Sequence, residues 1–547
     1  MAVLAALAAA PLAAAHSVLI ATEPADDAVV AESPPRVLLR YDEPVESALG
    51  SIRVYDASGE RVDAETITRP SPEEVAVAVE RELARGTYTV TWRVISADSD
   101  PISGAFVFHV EEPGPQPSGI AAQVLEGTPT VVSVFFTGGR FFDFVLLLLC
   151  VGGIGALALV LPSASSEVVR RLYGVLAACA GALAVVALLG IVFQGAAAGG
   201  FGLRAAFTWD VFSSVAGTRY GEASLIRAAL AVTLLAAALA LRRTEGRDRT
   251  ALIGLCLILA GALVVTPSAS GHASTVGALA VASDAAHVFA AAAWTGGLGF
   301  VVLALALSRS DRWPLAARAV PRFSTLAVGA VAVLLIAGTI NGFLQVRTWS
   351  ALWETTYGLL LLAKIGLVLP LLALGAYNNR YAVPRLRAQI ASALEQRRFL
   401  RAAGAELAIM IAVVAVTAVL VNAEPARTEL VMMHGSPEAT VAMGNGVDCE
   451  VAADPGTAGR NEIHLMFSEH GGEAVELEEV LVAATLPDEE IGPFRYTARP
   501  VPGHHGEFVV ENAQLPIPGD WQVRIEARRG EFELLTANVS ISIREES

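Results

Sequence analysis

Residues 357–380 read YGLLLLAKIGLVLPLLALGAYNNR. About twenty such apolar residues, at 1.5 Å each, reach across a hydrocarbon layer of ~30 Å, so this stretch predicts a transmembrane helix. Inside it stands Lys364, the only lysine in the chain. It lies roughly 13 Å along the helix axis, close to the midplane. An ammonium at that depth costs at least ~2.5–3.5 kcal/mol on insertion scales and needs a partner or a hydrated cavity. Snorkelling to an interface is the alternative, and the depth argues against it.

Seven further apolar stretches surround this one. The eight fall near 130–162, 169–194, 222–242, 250–268, 278–307, 323–346, 355–377 and 405–422. They account for a hydrophobic fraction of 54% and a mean hydropathy of +0.55, values too high for an ordinary soluble protein. The loops orient them. Arg170 and Arg171 follow the first span, four arginines (242, 243, 247 and 249) the third, four more the fifth and six the seventh. The alternate loops hold only Arg204, Arg219 and Arg347. The positive-inside bias then predicts a basic cytoplasmic face with both termini outside. The net charge of −16 is segregated accordingly: residues 16–112 sum to −11 and 424–547 to −15, leaving +10 for the centre. A basic soluble face for nucleic acid is missing from this pattern.

The fifth span offers partners for Lys364. In ASDAAHVFAAAAWTGGLGF, residues 282–300, Asp284 and His287 stand three apart and share a helix face. His287 lies at a depth similar to that of Lys364. His272 precedes this span in SASGHAS, and Gly296-Gly297 would let helices approach closely. Together His272, Asp284, His287 and Lys364 mark a candidate polar path. Asp143 in the first span and Glu406 at the start of the eighth are further ionisable residues, either interfacial or functional. Arg140 reads as an interfacial anchor. The four cysteines form neither a disulfide framework nor a CxxC pair.

The two ends read as β domains. Val37–Tyr41, Ile52–Tyr55, Tyr88–Val94 and Ala105–Val110 are short β-rich runs that predict a small sandwich over 16–112. Ala13-Ala14-Ala15 precedes His16, the small-residue pattern of a signal-peptide cleavage site, although residues 1–15 carry no positive charge. Cleavage there would give His16 a free α-amine beside its imidazole, a chelate suited to Cu, Zn, Ni or Fe.

HSVLIATEPADDAVVAESPPRVLLRYDEPV (16–45) and GTYTVTWRVISADSDPISGAFVFHV (86–110) resemble the periplasmic copper-binding CopC family. That resemblance implies an immunoglobulin-like sandwich that binds Cu(II) through an N-terminal histidine and an Asp-x-His pair before the last strand. His16 and Asp98 match the first two positions. The third is Asp100 in place of histidine, a harder oxygen ligand that should lower Cu(II) affinity. SASGHAS, HVFAAAAWTGGL, AGTINGFLQV and YGLLLLAKIGLVLPLLALGAYNNR are similar to the CopD membrane family, and fused CopC–CopD proteins form a class. The resemblance spans nearly all of 16–422 and implies copper handling across the cytoplasmic membrane, in the direction of uptake.

Residues 424–547 predict a second β-sandwich outside the membrane, with Ile463–Phe467, Val480–Ala484 and Trp521–Ile525 as strands. It holds four of the six methionines and five of the nine histidines. Met432, Met433, His434, His464 and Met466 are possible Cu(I) ligands there, against the reading that the methionines fill the core and the histidines decorate loops. His464 and Met466 are two apart and would share one face of a strand. The expected organisation is a signal peptide (1–15), a copper-binding sandwich (16–112), a linker (113–129), an eight-helix bundle (130–422) and the tail domain (424–547). No nucleotide motif and no catalytic constellation is found, so a non-enzymatic copper importer in the cytoplasmic membrane is expected, with copper and lipid as partners. A haem-type redox protein and a copper-sensing scaffold without transport remain the rivals.

Overall fold

The computed structural model describes residues 19–26, 28–41, 44–46, 52–96, 101–115, 130–200, 202–271, 273–346, 349, 351–423, 438–454, 456–469, 475, 477–489, 491–501, 506–530 and 533–544. The head is a sandwich of two four-stranded sheets. One has the order β1(Leu19–Glu23), β3(Arg36–Tyr41), β6(Glu74–Val79), β5(Asp63–Thr68). The other runs β2(Ala28–Val30), β8(Pro101–Val110), β7(Gly86–Ile95), β4(Ile52–Tyr55). Alternation decides which side chains enter the core: Val37, Leu39 and Tyr41 from β3 meet Ile52 and Val54 from β4 and Val90 from β7. Gly104 faces Trp92 across the hairpin, and a Cβ there would lie 2.5 Å from the indole, so only glycine leaves room for the ring.

Eight helices are long and apolar enough to cross a membrane. They are α1(Thr130–Gly155), α2(Ser166–Gly199), α3(Arg219–Leu241), α4(Gly246–Ser268), α5(Ala278–Leu307), α6(Arg312–Val346), α7(Thr356–Tyr377) and α8(Ala393–Leu420). π-helical turns extend α1 over Ala156–Val160 and α7 over Asn378–Ala382. Two helices start a full three turns before the apolar run does. At α8 the reason is a capping box, in which the Ser392 side chain and the Glu395 carboxylate each take the other's backbone N–H. The added turns are amphipathic and bury Phe399 and Ala403. Helix α6 likewise begins at Arg312 and buries Leu315, Ala316 and Ala319.

The hub is α5, which packs on α1, α2, α4, α6 and α8. Its approach to α1 is backbone to backbone. A Cβ on Gly152 would sit 2.0 Å from the Ala292 carbonyl, and one on Gly296 would sit 1.9 Å from the Leu148 carbonyl. With no hydrophobic drive between helices in lipid, such close packing is a principal source of association.

The head meets the C-terminal end of α2 and the N-terminal end of α3. Ile95, at the end of β7, packs on Ala198. The Glu46 carboxylate accepts the Arg219 N–H at 3.0 and 3.3 Å, an anion placed on the N-terminal turn of α3. Burial raises the Glu46 pKa above its ordinary value, outweighing the lowering effect of that N–H.

The tail is a single eight-stranded sheet in the order β16(Glu533–Ile543), β15(Gly519–Arg529), β12(Glu479–Leu486), β13(Ile491–Pro500), β14(Glu507–Leu515), β11(Gly459–Glu469), β10(Val447–Asp454), β9(Glu438–Gly444). The two halves expected of a sandwich are joined by β13. It pairs with β12 from Ile491 to Ala498 and with β14 at Arg499 and Pro500. The end strands β16 and β9 pack on each other, so the sheet approaches a closed barrel. Met443 and Cys449 lie in its core beside Phe467 and Trp521. Burial pushes the Cys449 thiol up, which favours its protonated form.

Gly152→Leu and Gly296→Leu should each destabilise the bundle by about 3 kcal/mol or more, since neither backbone can retreat from the added side chain. Thermal unfolding of detergent-solubilised protein measures this; an unchanged midpoint would refute the close contact.

Candidate functional site

Helix α5 places Ser283, Asp284, His287 and Trp294 along one stripe. His287 lies nine residues from the start of α5 and Lys364 eight from the start of α7, roughly 14 and 12 Å along their axes. As fifth and seventh crossings the two helices enter from the same side, which brings the groups to one level. Lys364 is within electrostatic range of both Asp284 and His287.

The Asp284 carboxylate is held from two sides. Ser268 Oγ, at the end of α4, donates to Oδ2 at 2.6 Å, and Asn341 Nδ2 on α6 approaches Oδ1 at 3.4 Å. Ser283 Oγ in turn donates to Asn341 Oδ1 at 2.7 Å, fixing which face of the amide meets Asp284. The His287 ring lies over Gly338 of α6, where a Cβ would be 3.3 Å from Cε1. Its Nδ1 is buried without a hydrogen-bond partner. A carboxylate, an imidazole with a free nitrogen and an ammonium thus gather where three helices meet a fourth.

A second polar group lies beside the first. Arg227 Nη1 of α3 donates to Asp143 Oδ2 of α1 at 2.6 Å, with both side chains more than nine-tenths buried. Arg227 Nε donates to Thr266 Oγ1 at 2.8 Å. Thr266 can accept because its own hydroxyl proton goes to the Leu263 carbonyl at 2.8 Å. That carbonyl lacks its usual helical donor because residue 267 is proline. One broken turn of α4 therefore serves both acids, with Thr266 facing the Asp143–Arg227 pair and Ser268 facing Asp284. Arg140 lies at the same end of α1, stacked 4.6 Å over Phe136, and donates to the Val421 carbonyl at 2.9 Å.

Of the residues expected in the path, Asp284, His287 and Lys364 come together, whereas His272 lies outside the described residues. So do all three expected head ligands, His16, Asp98 and Asp100, and the tail residues Met432, Met433 and His434. The strands flanking Asp98 and Asp100 are β7 and β8, paired there as Ile95 with Pro101. His109 pairs with Thr87 at the opposite end of this hairpin, is buried, and shares a 2.9 Å hydrogen bond with Thr87 Oγ1. In the tail, His464 and Met466 alternate with the buried Ile463, Leu465 and Phe467, so both lie on the outer face of β11. The His464 ring faces Glu507 at 3.4 Å through Nδ1 and Glu462 at 3.9 Å through Nε2. Among the described residues, no three of His, Cys, Asp and Glu group as a metal cage.

Sequence reasoning missed Arg227, Asn341, Ser268 and Ser283. Arg227 and Asn341 had a signal, each a strongly polar residue well inside an apolar span. Ser268 and Ser283 had none, since serine hydrogen-bonds its own helix as readily as another.

Comparison with known proteins adds three family matches. The CopC domain model matches residues 19–111, the copper resistance protein D-like N-terminal domain 131–281, and copper resistance protein D 317–420. The copper transport protein CutJ of Bacillus subtilis is 27% identical over 95% of this chain and 94% of its own. The inner membrane protein YebZ of Escherichia coli is 29% identical over 34% of this chain and 63% of its own. The crystal structure of CopC from Methylosinus trichosporium OB3b is 34% identical, covering 18% of this chain and 95% of that one, with a TM-score of 0.16.

Arg227→Met should destabilise the bundle by about 3–5 kcal/mol, because it strands the Asp143 carboxylate. The double variant Asp143→Leu, Arg227→Met should recover most of that loss in thermal unfolding. A double variant as unstable as the single one would contradict a closed ion pair.

Proposed function

Because the chain belongs to the copper-resistance family that joins a CopC domain to a CopD membrane domain, we propose that it binds copper outside the cytoplasmic membrane and carries it inward through the helical bundle. The observation that carries this reading is the polar site buried in the bundle. A carboxylate, an imidazole and an ammonium at one level of an apolar bundle are costly to keep and mark an ion path. Asp284 supplies the negative charge that offsets a cation. The free Nδ1 of His287 supplies a nitrogen donor of the kind copper prefers. Lys364 opposes a second positive charge and sets a gate: its ammonium pairs with Asp284 when the path is empty and swings away when copper arrives. His272 stands before α5 in sequence and is proposed as the outer step of the same path.

In the head, His16 and Asp98, with Asp100, are proposed to capture Cu(II), and the carboxylate of Asp100 weakens that site relative to imidazole. Delivery is proposed to pass over the contact between head and bundle, where Ile95 at the end of β7 rests on Ala198 of α2. His109 plays no part in that site, being eight rungs away on the hairpin and committed to Thr87. In the tail, His464 and Met466 on the outer face of β11, with Met432, Met433 and His434, are proposed as a separate site for copper that arrives already as Cu(I). Glu462 and Glu507 are the carboxylates that copper would meet at His464. The proposed topology keeps residues 1–15 as a cleaved leader and both β domains extracytoplasmic, in agreement with the arginine-rich alternate loops. The protein acts as a carrier and not as an enzyme, and needs no nucleotide.

Mass-spectrometric copper content of cells tests this. Cells making the intact chain should accumulate copper above cells making a Lys364→Met, His287→Ala variant. Equal copper in the two would overturn the path, and lower copper with the intact chain would indicate export or sequestration outside.

A further inference from the structure

A third buried polar pair lies on the inner side of the bundle. Glu406 stands thirteen residues into α8, roughly 20 Å along its axis, and is 5% exposed. The sequence leaves it either interfacial or functional, and the structure buries it among the helices. Its partner is Asn378, also buried, on the π-helical turn that ends α7. Asn378 Nδ2 donates a hydrogen bond to Glu406 Oε1. The other amide atom, Asn378 Oδ1, is buried with no hydrogen-bond partner. An unmet acceptor in such a place is costly.

We propose that Glu406 is a proton-binding site, in which the protonated carboxyl closes a two-bond ring with the Asn378 amide. A carboxylate has no proton to give and leaves Oδ1 unmet. A carboxylic acid donates its O–H to Oδ1 while its carbonyl oxygen accepts from Nδ2, and every polar atom of the pair is then satisfied. Among the described residues, no cation competes for the carboxyl. Helix α8 packs on α1, α5 and the π-helical turn. On α1, Asp143 is tied to Arg227 and Arg140 to the Val421 carbonyl. On α5, Asp284 is held by Ser268 and His287 lies over Gly338. On the turn, Arg380 and Tyr381 are exposed. Among the described residues, Asn378 is the side chain that acts on the Glu406 carboxyl.

The end of α7 that carries Asn378 borders a cleft and approaches α5 at Trp294. Asn379, next in the chain, lines an open cleft of about 690 Å³ together with Ser324, Thr325 and Arg387. On the other side, Trp294 stands two turns beyond His287 on α5, and its ring lies 4.0 Å from where a Cβ on Gly375 would be, one turn before Asn378. Rocking of α5 against α7 as copper leaves Asp284 and His287 would disturb the acid–amide ring. Glu406 would then release its proton to the cleft and take one back when the helices return. This coupling rests on the proposed copper transport; the proton site itself does not.

Two readouts on the full-length protein in lipid vesicles keep these apart. The first is infrared spectroscopy of the protonated carboxyl C=O stretch across a pH series. The wild type should show a titrating band that is lost in Glu406→Gln and shifted in Asn378→Leu. Glu406→Gln is a fair test because its amide copies the acid ring, accepting from Nδ2 and donating to Oδ1, and so preserves the fold. A band unaltered by Glu406→Gln would overturn the proton site. The second is an entrapped pH dye read during copper addition. Wild type should move protons with copper, and Glu406→Gln should lower proton movement to that of empty vesicles. Equal proton movement in the two would overturn the coupling. No copper movement in wild type, with the band still titrating, would overturn the transport reading and leave the proton site standing.

Discussion

Pro267 breaks the hydrogen-bond ladder of α4 inside an apolar bundle, and much of the membrane domain follows from how that break is repaired. A proline has no N–H to offer the carbonyl four residues before it, and lipid has none either. The Thr266 hydroxyl meets the Leu263 carbonyl instead and leaves its own lone pairs free for Arg227. Arg227 can then neutralise Asp143 far from water. On the far side of the proline, Ser268 is turned toward Asp284. A single irregular turn thus distributes donors to two acids on two other helices. Neither acid could stay in the bundle without such donors.

The second constraint is distance between backbones. Polar side chains meet only if the helices carrying them come close, and α5 reaches α1 through paired glycines with no side chain between. That contact sets α5 at the centre, where its stripe of Ser283, Asp284 and His287 faces α4 and α6. Helix α7, by contrast, is the least covered of the eight. A lysine carried on the least covered helix suits the proposed gate, in which it moves relative to Asp284.

Much of this was legible in the sequence. Eight spans could be counted because twenty-residue apolar runs are unambiguous, and the head could be read from strand alternation in Arg36–Tyr41 and Gly86–Ile95. Asp284, His287 and Lys364 were found because ionisable residues in apolar runs stand out singly. What was not legible was pairing. Nothing in the spacing of Asp143 and Arg227, 84 residues apart, indicates that they touch. Glu406 could be read from the sequence as interfacial or functional, but its pairing with Asn378, 28 residues away, could not. The tail's near-barrel closure was equally hidden, since the bend in β13 that carries it from β12 to β14 leaves no periodic mark.

The account stands on Asp284 as the charge that admits copper to the bundle. Copper entry into proteoliposomes, followed with an entrapped copper-selective fluorescent chelator, tests that directly in protein reconstituted to equal density with and without Asp284→Asn. The amide keeps the size and the hydrogen-bonding reach of the carboxylate but not its charge. Entry is expected with the intact chain, and none above empty vesicles with the variant. Equal rates in the two would contradict it.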